Sequence, residues 1–149
     1  MSKFQIFTDS CSDLTKELRE QNHIDYFRMN IVVAGEQHHA DLNWEEYDPD
    51  QLYAWVADTK NHCKTTLVPA EEFETKIRAC FEQGIDVVYI GCSGKLTGSM
   101  NVFNLVGQEL QEEFPDRKMI GIDSCAACMG EGMIVLKAAQ LQQEGKSLE

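Results

Sequence analysis

Residues 86–101, D-V-V-Y-I-G-C-S-G-K-L-T-G-S-M-N, decide how the rest of the chain is read. The apolar run at 87–90 is short and unbroken, which predicts a buried strand. It runs into a turn carrying Gly91, Gly94 and Gly98, with hydroxyls at Ser93, Thr97 and Ser99. Met100, Phe103, Val106 and Leu110 then recur at helical spacing. A strand, a Gly/Ser/Thr loop and a helix start make an anion-binding geometry. Glycines let backbone approach closely, the first helical N–H groups lack intrahelical partners, and the helix dipole favours negative charge. An ordinary turn in which Thr97 or Ser99 caps the helix accounts for the same residues.

Outward from this stretch the chain alternates. Residues 4–7 predict a first strand, followed by T-D-S-C-S-D, in which Ser10 or Ser12 can cap a helix at about 13–21. Residues 24–34 are rich in β-formers and continue past Gly35 as a hairpin, with His38 and His39 on its return strand. As neighbours on a strand those histidines point to opposite faces and make a poor ligand pair at the surface. Asp48-Pro49 is a strong helix start, and the helix reaches about residue 59. N-H-C-K-T-T-L-V-P reads as a connector, and Pro69 opens the next helix, which Gly84 ends. Residues 118–122 predict another strand, and a last helix spans about 130–144 with Gly145 at its C-cap. This order predicts an α/β fold, a mixed but mostly parallel sheet with helices on both faces.

With 149 residues and 43% hydrophobic content, one domain (1–149) with a proper core is expected. A formal charge of -12 makes nucleic acid and anionic membrane surfaces poor partners. No run approaches the roughly 20 apolar residues of a membrane span, and the N-terminus has no secretory pattern. A cytoplasmic protein is expected, its six cysteines reduced.

In sheets of this kind ligands sit beyond the carboxyl ends of the strands. Three predicted strands end in similar chemistry: Thr8, Asp9 and Ser10; Cys92, Ser93 and Gly94; Asp123 and Ser124. Thr65-Thr66 precedes a helix that feeds the central strand, and Lys64 and Lys95 are the nearby cations. Such a rim, with several free helix N–H groups, suits one carboxylate or a polar head. A triphosphate recruits more positive charge, and a Walker lysine followed by Ser/Thr is absent.

Four motifs occur in order: T-D-S-x-S-D, K-T-[ST] before a helix, S-x-x-L-[ST]-G-[ST] after a strand, and I-D-S-x-x-A-x-x-G-x-G. Together they resemble the DegV family of bacterial fatty-acid-binding proteins, over the whole chain but only over that family's first lobe. The resemblance implies a non-catalytic subunit with no cofactor, holding a long-chain fatty acid and presenting it to a separate fatty acid kinase subunit. Carried over by motif, the carboxylate contacts are Thr65, Thr66 and Ser93, with backbone near Gly94 and Thr97. From the strand ends, Thr8, Asp9, Ser10, Asp123 and Ser124 are expected along the pocket rim. A second lobe or self-association is expected to cover the acyl chain. The sequence departs from the family at Gly94, where a second serine is common, and at Leu67-Val68, where Gln-Pro is common. Met100, Val102 and Phe103 replace a helix start that often contains Tyr, Ser and Ala.

Rival readings attach to fewer residues. Cys125-x-x-Cys128 is one pair, whereas structural zinc takes four ligands, so no metal ligands are assigned. As a redox pair it would sit at a strand end leading to a helix; small buried thiols filling a tight turn account for it with fewer demands. G-C-S-G resembles a nucleophile elbow only loosely, since Lys95 stands where the second glycine belongs. A small α/β hydrolase or transferase using Ser93, or a scaffold lobe with no ligand, are the alternatives.

Overall fold

A computed structural model describes residues 4–148. In chain order the elements are β1 (Phe4–Asp9), α1 (Lys16–Gln21), β2 (Ile24–Phe27), β3 (Asn30–Val33), β4 (Glu36–His39) and α2 (Pro49–Ala57). A 3-10 turn (Thr59–Asn61) leads to β5 (Lys64–Thr66), α3 (Ala70–Glu82), β6 (Asp86–Gly91), α4 (Ser99–Glu113), β7 (Met119–Asp123) and α5 (Met129–Gln143).

Four strands form one sheet in the order β2-β1-β6-β7, every pair parallel. β6 is buried at all its positions, which is why V-V-Y-I shows no polar alternation. Alternation sorts side chains between two cores. Phe7, Val87 and Tyr89 point to an aromatic core completed by Phe27, Phe73 of α3 and Phe103 of α4. Ile6, Val88 and Ile90 point to an aliphatic core completed by Leu14 and by Val135 and Ala139 of α5. The sheet grows from β1 toward β2 on one side and β6 on the other. The carboxyl ends of β1 and β6 therefore flank a topological switch point, where such sheets bind ligands.

The antiparallel pairs lie outside this sheet, in a second one ordered β4-β3-β5. The expected single run at 24–34 breaks because side chains capture two backbone N–H groups. Arg28 N–H donates to Glu72 Oε1 and Met29 N–H to Ser10 Oγ, so neither joins a ladder. The stretch read as a connector contains β5, whose Thr65 and Thr66 register against Ile31 and Asn30. His38 and His39 do face opposite ways, but both are half-buried: His38 stacks on Trp55 at 4.9 Å, and His39 Nδ1 lies 3.0 Å from Asn30 Oδ1.

Helix ends follow local chemistry with two shifts. Asp48 caps α2 through Gln51 N–H at 2.8 Å, with Pro49 in the first turn as expected. α1 is capped by Thr15 rather than Ser10 or Ser12, because Asp13 takes a positive φ and delays the helix. At the end of α5, Gly145 stands one position past the cap with φ 83°. Lys146 N–H there reaches back to Leu141 O, a Schellman closure. Among the described residues no helix is long and apolar enough to cross a membrane.

Candidate functional site

β1 carries its alternation into its last two residues. Thr8 shares a face with Ile6 and meets α5, where its hydroxyl donates to Glu131 Oε1 at 2.7 Å. Asp9 shares a face with Phe7 and meets β6. Its Oδ2 accepts Tyr89 O–H at 2.6 Å and Cys92 N–H at 3.0 Å, and its Oδ1 accepts Cys11 N–H at 2.9 Å. Thr8 and Asp9 are wholly buried, so they lie beneath the rim and not on it. The physical reason is that Glu131 of the covering helix α5 closes over Thr8, while Asp9 is bonded by Tyr89 and by the backbone at the end of the adjacent strand β6. Ser10 spends its oxygen on Met29 N–H at 3.0 Å.

Above this seam four segments are tied together. Ser93 N–H donates to Ala126 O at 2.8 Å, and Gly94 N–H to Asp123 Oδ2 at 3.1 Å. Val68 N–H donates to Ser99 Oγ at 3.1 Å, and Leu67 packs toward Gly98, which brings the end of β5 against the start of α4. Much of the loop's backbone is satisfied internally: Leu96 and Thr97 N–H both reach Ser93 O. Thr97 Oγ1 lies 2.9 Å from Ser99 Oγ and accepts Ser99 N–H, a local cap that uses the hydroxyl. Ser93 differs. Its Oγ accepts only a long bond from Lys95 N–H, 3.3 Å, and donates to no acceptor among the described residues. Thr65 and Thr66 are exposed on β5, Thr66 bonding Leu67 O. Leu67 and Leu96, 40% and 72% exposed, flank the loop with apolar surface.

Asp123 and Ser124 build the neighbouring turn. Asp123 Oδ1 accepts Cys125 N–H at 2.8 Å and Ser124 Oγ accepts Ala126 N–H at 3.1 Å. The N–H groups of Cys125 and Gly94 hold the Asp123 carboxyl below its ordinary range. Because Asp123 and Ser124 close this turn, Cys125 and Cys128 are not its filling: both are exposed and unbridged. Among the described residues no His, Cys, Asp or Glu cluster is arranged to hold a metal.

The family profile for DegV proteins, described as uncharacterised, matches residues 3–149. The chain belongs to the DegV family. A DegV domain-containing protein of Clostridium perfringens is 30% identical over 100% of this chain and 50% of its own length. A DegV family protein from Thermus thermophilus, described by its fatty acid binding, has a similar structure. It is 31% identical with TM-score 0.82, over 98% of this chain and 49% of that one. A stearic acid-binding protein from Eubacterium ventriosum shares the fold, at 24% identity and TM-score 0.88 over 97% of this chain and 49% of its own. The chain spans about half the length of the relatives it matches.

The DegV motifs thus converge at one end of the sheet. Val68, two residues past K-T-T, bonds Ser99 of the S-G-K-L-T-G-S motif, and the last motif meets Ser93 and Gly94 through Ala126 and Asp123. Two residues escaped the motif reading. Tyr89 passed as a core aromatic, and Glu131 as the variable position of G-x-G. The available signal was phase: Glu131 lies on the same helical face as Val135 and Ala139, where a carboxyl must be buried. The second glycine of that motif, Gly132, has a steric cause. A Cβ there would lie 2.5 Å from Ser12 O.

Proposed function

We propose that the rim between β1 and β6 holds the carboxylate of a long-chain fatty acid, with Thr65, Thr66, Ser93, Gly94 and Thr97 around the head group. Ser93 carries the reading. A nearly buried hydroxyl with an uncommitted proton, at the switch point of a parallel sheet, suits an anionic oxygen. Leu96 and Leu67 beside it offer the first methylenes an apolar path. The fatty acid binding of the Thermus relative, at 31% identity, supports the same ligand class. Among the described residues no histidine or carboxylate hydrogen-bonds Ser93 Oγ, which favours a binding role over nucleophilic catalysis. The bound acid is a substrate for a separate fatty acid kinase subunit, the role the family resemblance implies.

A second lobe completes the pocket. Each methylene removed from water contributes about 0.8 kcal/mol, and that gain is realised only where the tail is enclosed. This chain offers one wall and spans about half of its relatives. Titration with palmitate and oleate tests the reading, by calorimetry or fluorescence, on this chain and on the chain joined to a second lobe. Tight binding is expected only with both lobes, weakened about tenfold or more by Ser93→Ala. Tight binding indifferent to Ser93→Ala would place the carboxylate in another loop. Submicromolar binding by a monomeric single lobe would refute the two-lobe requirement. Mass spectrometry of co-purified lipid identifies the chain length.

A further inference from the structure

Glu131 is a fully buried acid that the lipid reading does not use. Thr8 donates to its Oε1 at 2.7 Å, while Oε2, also buried, has no hydrogen-bond partner among the described residues. The groups facing it come from every neighbouring segment. β1 supplies Asp9, the following turn Cys11 and Asp13, β6 and its end Tyr89 and Cys92, and its own helix start Cys128. None of these is a cation. Burial first, and the charge of Asp9 second, push the Glu131 carboxyl up to about 8. The Thr8 hydroxyl and the Asp9 backbone N–H pull the other way and are outweighed.

We propose that Glu131 is a proton-operated latch, which as the neutral acid seals the first turn of α5 onto β1 and when ionised drives that turn off. Ionisation leaves a buried carboxylate beside Asp9 with no cation among the groups facing it, an arrangement that folded proteins relieve by moving the group. Sliding α5 inward does not relieve it, because Gly132 already lies against Ser12 O. The turn must therefore open outward. It is continuous with the loop whose Ala126 O accepts Ser93 N–H at 2.8 Å, so opening loosens the support of Ser93. The latch belongs to the protein without ligand and stands apart from the lipid reading.

Two measurements on the free protein test it. Carbon NMR of the Glu131 side chain gives its titration midpoint. Amide exchange at Ser93 and Gly132, corrected for intrinsic rate, gives the opening. Between about pH 6 and about pH 9, protection at both amides should fall by about one to two orders of magnitude in the native sequence. In Glu131→Gln it should change by less than about twofold, because the amide cannot ionise. Thr8→Val removes a hydroxyl that favours the ionised form, so it should move the midpoint to higher pH. A Glu131 midpoint near the ordinary value of about 4.3 overturns the latch. The same loss of protection in Glu131→Gln also overturns it. If Glu131→Gln does not fold, an unshifted midpoint in Thr8→Val overturns it alone.

Discussion

The polar groups at the carboxyl end of the sheet form two tiers with opposite uses. In the lower tier Thr8, Asp9, Tyr89 and Glu131 are buried and bond in pairs, Thr8 to Glu131 and Tyr89 to Asp9. In the upper tier Ser93 Oγ donates to no acceptor among the described residues; Thr65 and Thr66, on β5 of the second sheet, are exposed. Both tiers come from similar strings, T-D-S in one and C-S-G in the other, each at the end of a parallel strand. The difference is what arrives from outside. α5 and Tyr89 close over the first string, while the second leads into a loop whose backbone N–H groups are held by Ala126 O and Asp123 Oδ2. The partner that packs onto it, more than residue type, separates a structural hydroxyl from one available to a ligand.

Substitutions can break that contrast, beginning in the lower tier. Asp9→Ala strips the acceptor from Tyr89 O–H and from two backbone N–H groups, two of the three bonds buried. It should cost about 4 kcal/mol in chemical denaturation, since each buried group left unpaired costs about 1–3 kcal/mol. A loss under about 1 kcal/mol would mean that the seam is solvated. The pH dependence comes next. Glu131 binds its proton more tightly folded than unfolded. Its stabilising share is thus complete below the unfolded value of about 4.3 and disappears as pH rises through about 8. Stability should therefore fall over that window by on the order of a few kcal/mol, and Glu131→Gln should flatten the slope.

Smaller effects sharpen the boundary between the tiers. Gly132→Ala sets a methyl 2.5 Å from backbone Ser12 O and should destabilise by about 2 kcal/mol. A neutral result would show that α5 has room to move outward in the resting protein. Tyr89→Phe deletes one donor to Asp9 and should cost about 1.5 kcal/mol without changing lipid affinity. Ser93→Ala should behave in reverse, within about 0.5 kcal/mol in stability yet weaker in binding. If both variants lost affinity equally, the two tiers would be one site.

Local pattern was enough for much of the molecule. Residues 86–101 hold a buried strand, a glycine-hydroxyl loop and a helix start within one contiguous segment, so β6, the Ser93 loop and α4 were legible together. The Asp48 cap and the glycine that closes α5 were legible for the same reason: their partners lie within a turn. β5 was not. It is three residues long, lacks alternation, and exists as a strand because β3, 34 residues upstream, pairs with it. The fate of Thr8, Asp9 and Glu131 was equally hidden, since their contacts span 80 or more positions. Periodicity and capping are properties of neighbouring residues and are written in order along the chain. Which hydroxyl is covered, and which carboxyl is denied water, depends on the distant face that packs above it, and only the assembled layers decide that.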